Sequence, residues 1–550
     1  MRTPVDTNAD VSGASAARTR AKQILAMVFD GRLNDAQMEL VRFRHQFPRT
    51  IGSLAGQNSG FATILERFLA EFAKDRRTNN NAAWTTFGGD VTRSRCLSQA
   101  VSWRLWEDGP AWRVPLPTAV GPNGTPTQPL GRRLAYHPVI AYGQVLIADH
   151  RSVSSFDAIS GKELFRFEPE LVGLADLPAE VDSKADLPRF TLTVDGDRAF
   201  VRLGQLGMAP KREAASYLMC LDISQPTTNR KRLLWHIRAK SDDRALAYFE
   251  GAPLVKDGRV YAALSKIIGQ SVATSIVCYD RTGRLLWTRD VCECPEFENG
   301  AKARFRQHLL TWGAGQIVYC SHAGAVVAVD AWTGEATWGV RYPSRGPTLD
   351  HEPSPRDLAP AVYADGRFFA APLDSDRVFC VDAASGNVLW ELEEIEVVHL
   401  LGIVQGQLMA ATRNGITSIR TTTGDIRWMQ PSGGRLASAG RGLIAGGWLF
   451  WPTQDGLLPY RALSLRTGSQ QKTQADSSVM PEPLLFDPSM LHALPIGNWA
   501  FGEGVLVIAG TKELVAYTPL AANRQLPIPA ARPQARLTAP GKHSGIVNNP

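Results

Sequence analysis

The chain has 550 residues, with 60 basic and 53 acidic side chains for a formal net charge of +7, and hydrophobic and charged fractions of 44% and 21%. That balance excludes a disordered polyelectrolyte, and 48 Gly, 35 Pro and 14 Trp favour β-structure with short connections and large packing residues. No apolar run approaches the ~20 residues a transmembrane segment needs. No basic face with interleaved aromatics points to nucleic acid, and an odd number of cysteines, seven, excludes a complete disulfide framework.

In chain order, residues 1–15 are polar and predicted to be disordered, and the opening "MRTPVDTNADVSGASAARTR" has no charged-then-apolar export signal. Residues 16–75 read as a small α-helical module. In it "AARTRAKQILAMVF" carries apolar positions at helical spacing, "DGR" breaks it, and "LNDAQMELVRFRHQF" resumes it with Asn34 or Asp35 as a cap. The hairpin resembles part of a tetratricopeptide unit and cannot bury its own face, so "GFATILERFLAEFAK" is expected to pack on it as a third helix, unless a partner does. Residues 76–110 are predicted to be a linker and a lead-in to the next domain.

From 111 to 520 one phrase recurs. "VVAVDAWTGEATW" from Val326 returns as "CVDAASGNVLW" from Cys380, as "CYDRTGRLLW" from Cys278, and more loosely at Asp157 and Gly424. The shared positions include Asp157, Gly161, Asp280, Gly283, Trp287, Asp330, Gly334, Trp338, Asp382, Gly386, Trp390, Gly424 and Trp428, and the glycines return roughly every 40 to 50 residues. Asp and Ser or Thr bond a turn's own backbone, Gly supplies positive φ, and Trp buries a large surface against the next sheet. Each unit is then the outer hairpin of a four-stranded sheet with two apolar faces, so the copies must stack, and a closed ring leaves no open end. Eight units are predicted, near 137–167, 190–237, 252–289, 309–340, 360–392, 400–430, 441–470 and 497–518. The last lacks its Trp strand, and "AWRVPLP" around Trp112 is the candidate to supply it. The fold class is therefore all-β, an eight-bladed β-propeller of four-stranded antiparallel blades with a small helical N-terminal module. The Pro-rich tail, 521–550, is predicted to be disordered.

These repeats resemble the PQQ-like repeat superfamily, and "WTTFGGDVTRSR" from Trp84 resembles the segment that precedes such propellers. The resemblance implies either a BamB-like propeller, which binds proteins and no cofactor, or a quinoprotein dehydrogenase, which holds PQQ with calcium. The dehydrogenases resemble one another in adjacent cysteines, and this chain has none; Cys292 and Cys294, in "VCECPEF", are read as loop residues whose pairing stays open. Neither calcium-binding Glu and Asn nor an elbow, zincin or kinase motif can be placed. His137, His308 and His399 fall at equivalent points before innermost strands and are the candidate ligand site at the channel mouth, with no carboxylate sharing the positions.

The preferred expectation is a monomeric, non-catalytic scaffold without cofactor that binds proteins or peptides through a propeller face and the N-terminal helices, with no nucleic-acid role. The alternatives are a dehydrogenase with an atypical site and a carbohydrate-binding propeller, the latter requiring Trp332, Trp448 and Trp451 to form a flat patch. The resemblance favours a periplasmic or envelope-associated location.

Overall fold

The computed structural model describes residues 8–29, 33–54, 57–78, 83–97, 101, 109–117, 134–174, 189–204, 215–224, 228–240, 247–269, 271–295, 307–344, 358–412, 415–431, 439–453, 456–461 and 496–518. Two compact units divide the chain, residues 1–84 and 85–550.

The first unit contains three helices, α1 (Asn8–Phe29), α2 (Leu33–Gln46) and α3 (Phe61–Thr78), and a hairpin of β1 (Ile51–Leu54) and β2 (Gln57–Gly60). Ala17, Ala21 and Ile24 of α1, Leu40 and Phe43 of α2, and Phe61, Ile64 and Leu65 of α3 form one buried cluster with Leu54. The third helix covers the hairpin face that two helices leave bare. Two expectations are corrected. α1 starts at Asn8, inside the stretch read as disordered, and Asn34 and Asp35 lie within α2 rather than capping it.

The second unit is an eight-bladed ring of four-stranded antiparallel sheets. Blade one comprises Val139–Ala141, Gln144–Ala148, Val153–Asp157 and Glu163–Phe167, innermost strand first. Blades two to six repeat the plan from Leu192 to Arg238, Leu254 to Pro295, Thr311 to Arg341, Val362 to Leu392 and Val397 to Pro431, and blade three adds a fifth strand, Ala247–Phe249, paired with Arg259–Ile268. Blade eight takes three strands from Asn498 to Tyr517 and its outermost strand from β4 (Trp112–Pro115). The pairing runs antiparallel, with Leu514 opposite Val114 and Ala516 opposite Trp112. Blade seven departs from the pattern. Its described strands, Leu443–Ala445, Trp448–Thr453 and Gly456–Arg461, gain a parallel inner neighbour, β3 (Cys96–Leu97), and its expected turn at Gly468 lies outside the described residues.

The repeat motif builds both turn and interface. In blade four Asp330 Oδ1 accepts the N–H groups of Trp332 (2.8 Å) and Thr333 (2.7 Å), and Gly334 follows at φ 75°. A Cβ on Gly334 would sit 2.6 Å from the Trp287 ring of blade three, and a Cβ on Gly386 2.5 Å from Trp338 of blade four. Each glycine is thus the floor on which the preceding blade's tryptophan lies. Trp338 also donates from Nε1 to the Ala383 carbonyl of blade five (3.0 Å). The same relation joins Trp112 to Gly161 and, through Nε1, to the Ala158 carbonyl (3.0 Å), which makes Trp112 the tryptophan of blade eight and seals the ring against blade one. The lengthened turn of blade two lacks its glycine, and there the buried Arg232 lays its guanidinium 3.7 Å from the ring centre of Phe165, the residue that stands for tryptophan in blade one.

Cys220, Cys278, Cys320 and Cys380 are buried between blades, and burial pushes the Cys380 thiol up to about 12. All seven cysteines are thiols rather than disulfide sulfurs. Cys292 and Cys294 lie on the outermost strand of blade three, opposite Thr274 and Val272, and not in a loop. That strand continues past its tryptophan because its neighbour Ser271–Asp280 is long enough to pair it to the end.

Candidate functional site

The axial space of the ring is lined by the innermost strands, whose inward edges present unpaired backbone donors. Thr85–Leu97 runs along these edges. The Val194 N–H of blade two donates to the Thr85 carbonyl (2.8 Å), Trp312 of blade four to Val91 (2.9 Å), Tyr363 of blade five to Thr92 (3.0 Å) and Gly446 of blade seven to Leu97 (2.8 Å). Cys96 Sγ donates to the Ile403 carbonyl of blade six (3.2 Å), and Ser94 Oγ to the Tyr363 carbonyl (2.8 Å). The segment read as a lead-in therefore belongs to the propeller.

Arg93 is its pivot. With no exposed surface and a φ of 62°, it donates from Nε to the Leu310 carbonyl (3.0 Å) and from Nη1 to Thr86 Oγ1 (2.7 Å) and the Phe87 carbonyl (3.0 Å). Burial pulls this guanidinium down to about 9, with Asp90 opposing the shift. Phe87 is buried in the same segment. It packs with Ala252 and Leu309, receives the edge of His137 at 4.9 Å between ring centres, and lies 4.7 Å beneath the Arg441 guanidinium.

A second cluster lies between blades two, three and four. Glu250 is wholly buried, and its Oε1 accepts the Ser265 hydroxyl (2.5 Å), which shares a hydrogen bond with Thr274 (2.7 Å). Tyr319 OH lies 3.1 Å from the same carboxylate, and His308 Nδ1 3.2 Å from Oε2 and 3.0 Å from Tyr319 OH. The His322 ring stands edge-on to His308 at 4.4 Å. Burial pulls the Arg202 guanidinium of blade two down to about 10, and Glu250 opposes that shift. The arrangement orients His308 against a buried carboxylate.

The three candidate histidines have different partners. His137 packs on Phe87, His308 joins Glu250, and His399 is buried in the innermost strand of blade six opposite Ala411. The expectation that no carboxylate shares these positions is corrected by Glu250, which sits on the connector into the preceding blade. The signal was present as a single glutamate in the otherwise apolar "YFEGAP". Arg93 and Phe87 were missed because "TFGGDVTR" has the composition of a solvated loop.

A calcium-bound quinone needs a donor set. Among the described residues no three or more His, Cys, Asp or Glu gather where they could hold a metal ion. Nor do the tryptophans form a flat patch. Trp451 is wholly buried, whereas Trp332 is 67% exposed at the tip of the blade-four turn, pinned under the Arg259 guanidinium at 3.5 Å. No described helix is long and apolar enough to cross a membrane.

A family model described as outer membrane protein assembly factor BamB matches residues 149–408, 322–478 and 374–539. Among solved structures the chain is similar to BamB from Moraxella catarrhalis, with 12% identity and a TM-score of 0.42 over 74% of this chain and 100% of that one. It is also similar to a europium-containing methanol dehydrogenase, at 11% identity and TM-score 0.48 over 81% and 100%. A third likeness is to the quinohemoprotein alcohol dehydrogenase from Comamonas testosteroni, at 14% and 0.50 over 81% and 82%. At these identities the likeness is one of fold. No curated protein matches the sequence. The overlapping family matches cover most of the ring whose turns, tryptophans and closure are described above, and the chain belongs to the PQQ-like β-propeller family of the outer membrane protein assembly factor BamB.

Proposed function

We propose that this propeller is a non-catalytic platform for protein or peptide binding. The observation that carries the reading is the course of Thr85–Leu97, which bonds to the innermost strands of several blades on the side where a propeller can lodge a small ligand and so favours the rims and faces for partners. The family description supports a protein partner engaged in outer membrane protein assembly, and with it a place at the cell envelope. Trp332 is the contact the geometry favours, since a pinned, exposed tryptophan has the character of an interface anchor and costs little entropy to immobilise.

The test places a photo-crosslinking amino acid at Trp332 in the full chain and irradiates intact cells. The expected result is a discrete adduct with an outer-membrane assembly protein that weakens when Arg259 is changed to Ala. Irradiation that yields no adduct here or at the other exposed turn tips overturns the reading.

A further inference from the structure

We propose that Thr85–Leu97 is an axial staple, a segment of this chain bound in cis as a peptide ligand of the channel. It couples the innermost strands of blades two, four, five, six and seven and closes the channel to other extended peptides.

Three observations converge on this. The contacts are spread around the ring, with a main-chain hydrogen bond to each of blades two, four, five and seven and a thiol contact to blade six, rather than concentrated on one neighbour. A surface loop that merely passed by would satisfy its groups with water. The receiving surface is shaped for the segment. Gly402 of blade six stands at φ 151° with no side chain, and a Cβ there would lie 2.8 Å from Cys96 Sγ. The segment is also internally folded for its place. Gly88 takes φ 74°, a Cβ on it would meet the Arg93 carbonyl oxygen at 2.8 Å, and the Thr85 N–H and Arg95 N–H bond to the Gly89 and Gly88 carbonyls (3.0 and 3.2 Å). Arg93 then ties this fold to blade four through Leu310.

The staple acts at the inner rim, whereas β4 closes the ring at the outer rim of blade eight. A buried cation with its donors on carbonyl and hydroxyl oxygens is costly to leave unpaired, so the segment is held as a unit or not at all. The inference stands on this geometry and not on partner binding, which can fail with the staple intact.

The experiment is residue-resolved hydrogen exchange on the full chain. In the wild type the amides of Val194, Trp312, Tyr363 and Gly446 are expected to exchange slowly. In Arg93→Ala all four, on four different blades, should accelerate together by at least about tenfold. The amides pairing Leu514 and Ala516 with β4 should be unchanged. Ser94→Ala, which removes one hydroxyl, provides a milder variant should Arg93→Ala fail to fold; it is expected to accelerate the same four amides by a smaller common factor. Acceleration confined to blades four and five, or no change in either variant, overturns the staple. So does a labelled peptide of residues 84–97 that binds the intact wild-type chain at micromolar concentration.

Discussion

Gly386 and Trp338 meet across the boundary of blades four and five, and the stability of that boundary follows from two atoms' worth of space. Adding a methyl at Gly386, where φ is 74° and a Cβ falls 2.5 Å from the Trp338 side chain, is expected to cost about 1–3 kcal/mol. Removing the ring, in Trp338→Ala, is expected to cost about 3–5 kcal/mol. Denaturant unfolding of both single variants and the double variant checks this. The two losses should sum to more than the double variant loses, because removing the ring takes away the Cγ and Cδ2 atoms that the methyl would strike and leaves only the contact with the Cβ of residue 338 and the positive φ; simple additivity would show that the ring and the glycine do not share one contact. The turn carboxylates carry the acid dependence. Asp280 is held at about 2, below its ordinary value of 3.8, first by the Thr282 hydroxyl and then by the Arg284 and Thr282 backbone N–H groups. Since the folded value is the lower one, the contribution is complete above about pH 4 and is lost as the pH falls towards 2. Asp280→Asn should flatten the decline of the denaturation midpoint over that window, and an unchanged slope would refute the assignment. At this scale the sequence was legible wherever partners are neighbours along the chain, as in the Asp–Thr–Gly turns. It was silent on Arg93 and Glu250, whose partners Leu310 and Tyr319 lie far away along the chain.

At the scale of elements, blade eight is the instructive case. Its missing strand was readable because the repeat leaves a countable vacancy, and β4 fills it with Trp112 on the Gly161 floor of blade one. Trp112→Ala should therefore lower stability by about 3–5 kcal/mol, as an interior blade tryptophan does. Trp332→Ala, at an exposed turn tip, should stay within about 0.5 kcal/mol of the wild type. Thermal and denaturant unfolding of the two variants side by side makes the comparison, and equal effects would argue against ring closure through Trp112. By contrast β3 was not readable. A two-residue parallel strand carries no periodicity, and its place is set by the inner edge of blade seven rather than by its own residues. The β1–β2 hairpin was missed for a related reason, since "IGSLAGQNSG" lacks alternating apolar residues and is held by packing of Leu54 and Phe61 in the helical unit.

At the scale of the molecule, the ring is the consequence of one set of local rules repeated from blade to blade, and so the eight-bladed fold could be read from the sequence. Function could not, because it depends on what lies along the axis and at the rims, where the repeats diverge. The chain shares its fold with dehydrogenases as well as with BamB, and the two readings part at the axis. There this chain places its own segment, Thr85–Leu97. The most direct measurement is a calorimetric titration of the full chain with PQQ in the presence of calcium, read alongside dye reduction with simple alcohols and sugars. The platform account expects no saturable heat and no turnover. Stoichiometric binding with substrate-dependent dye reduction would contradict it.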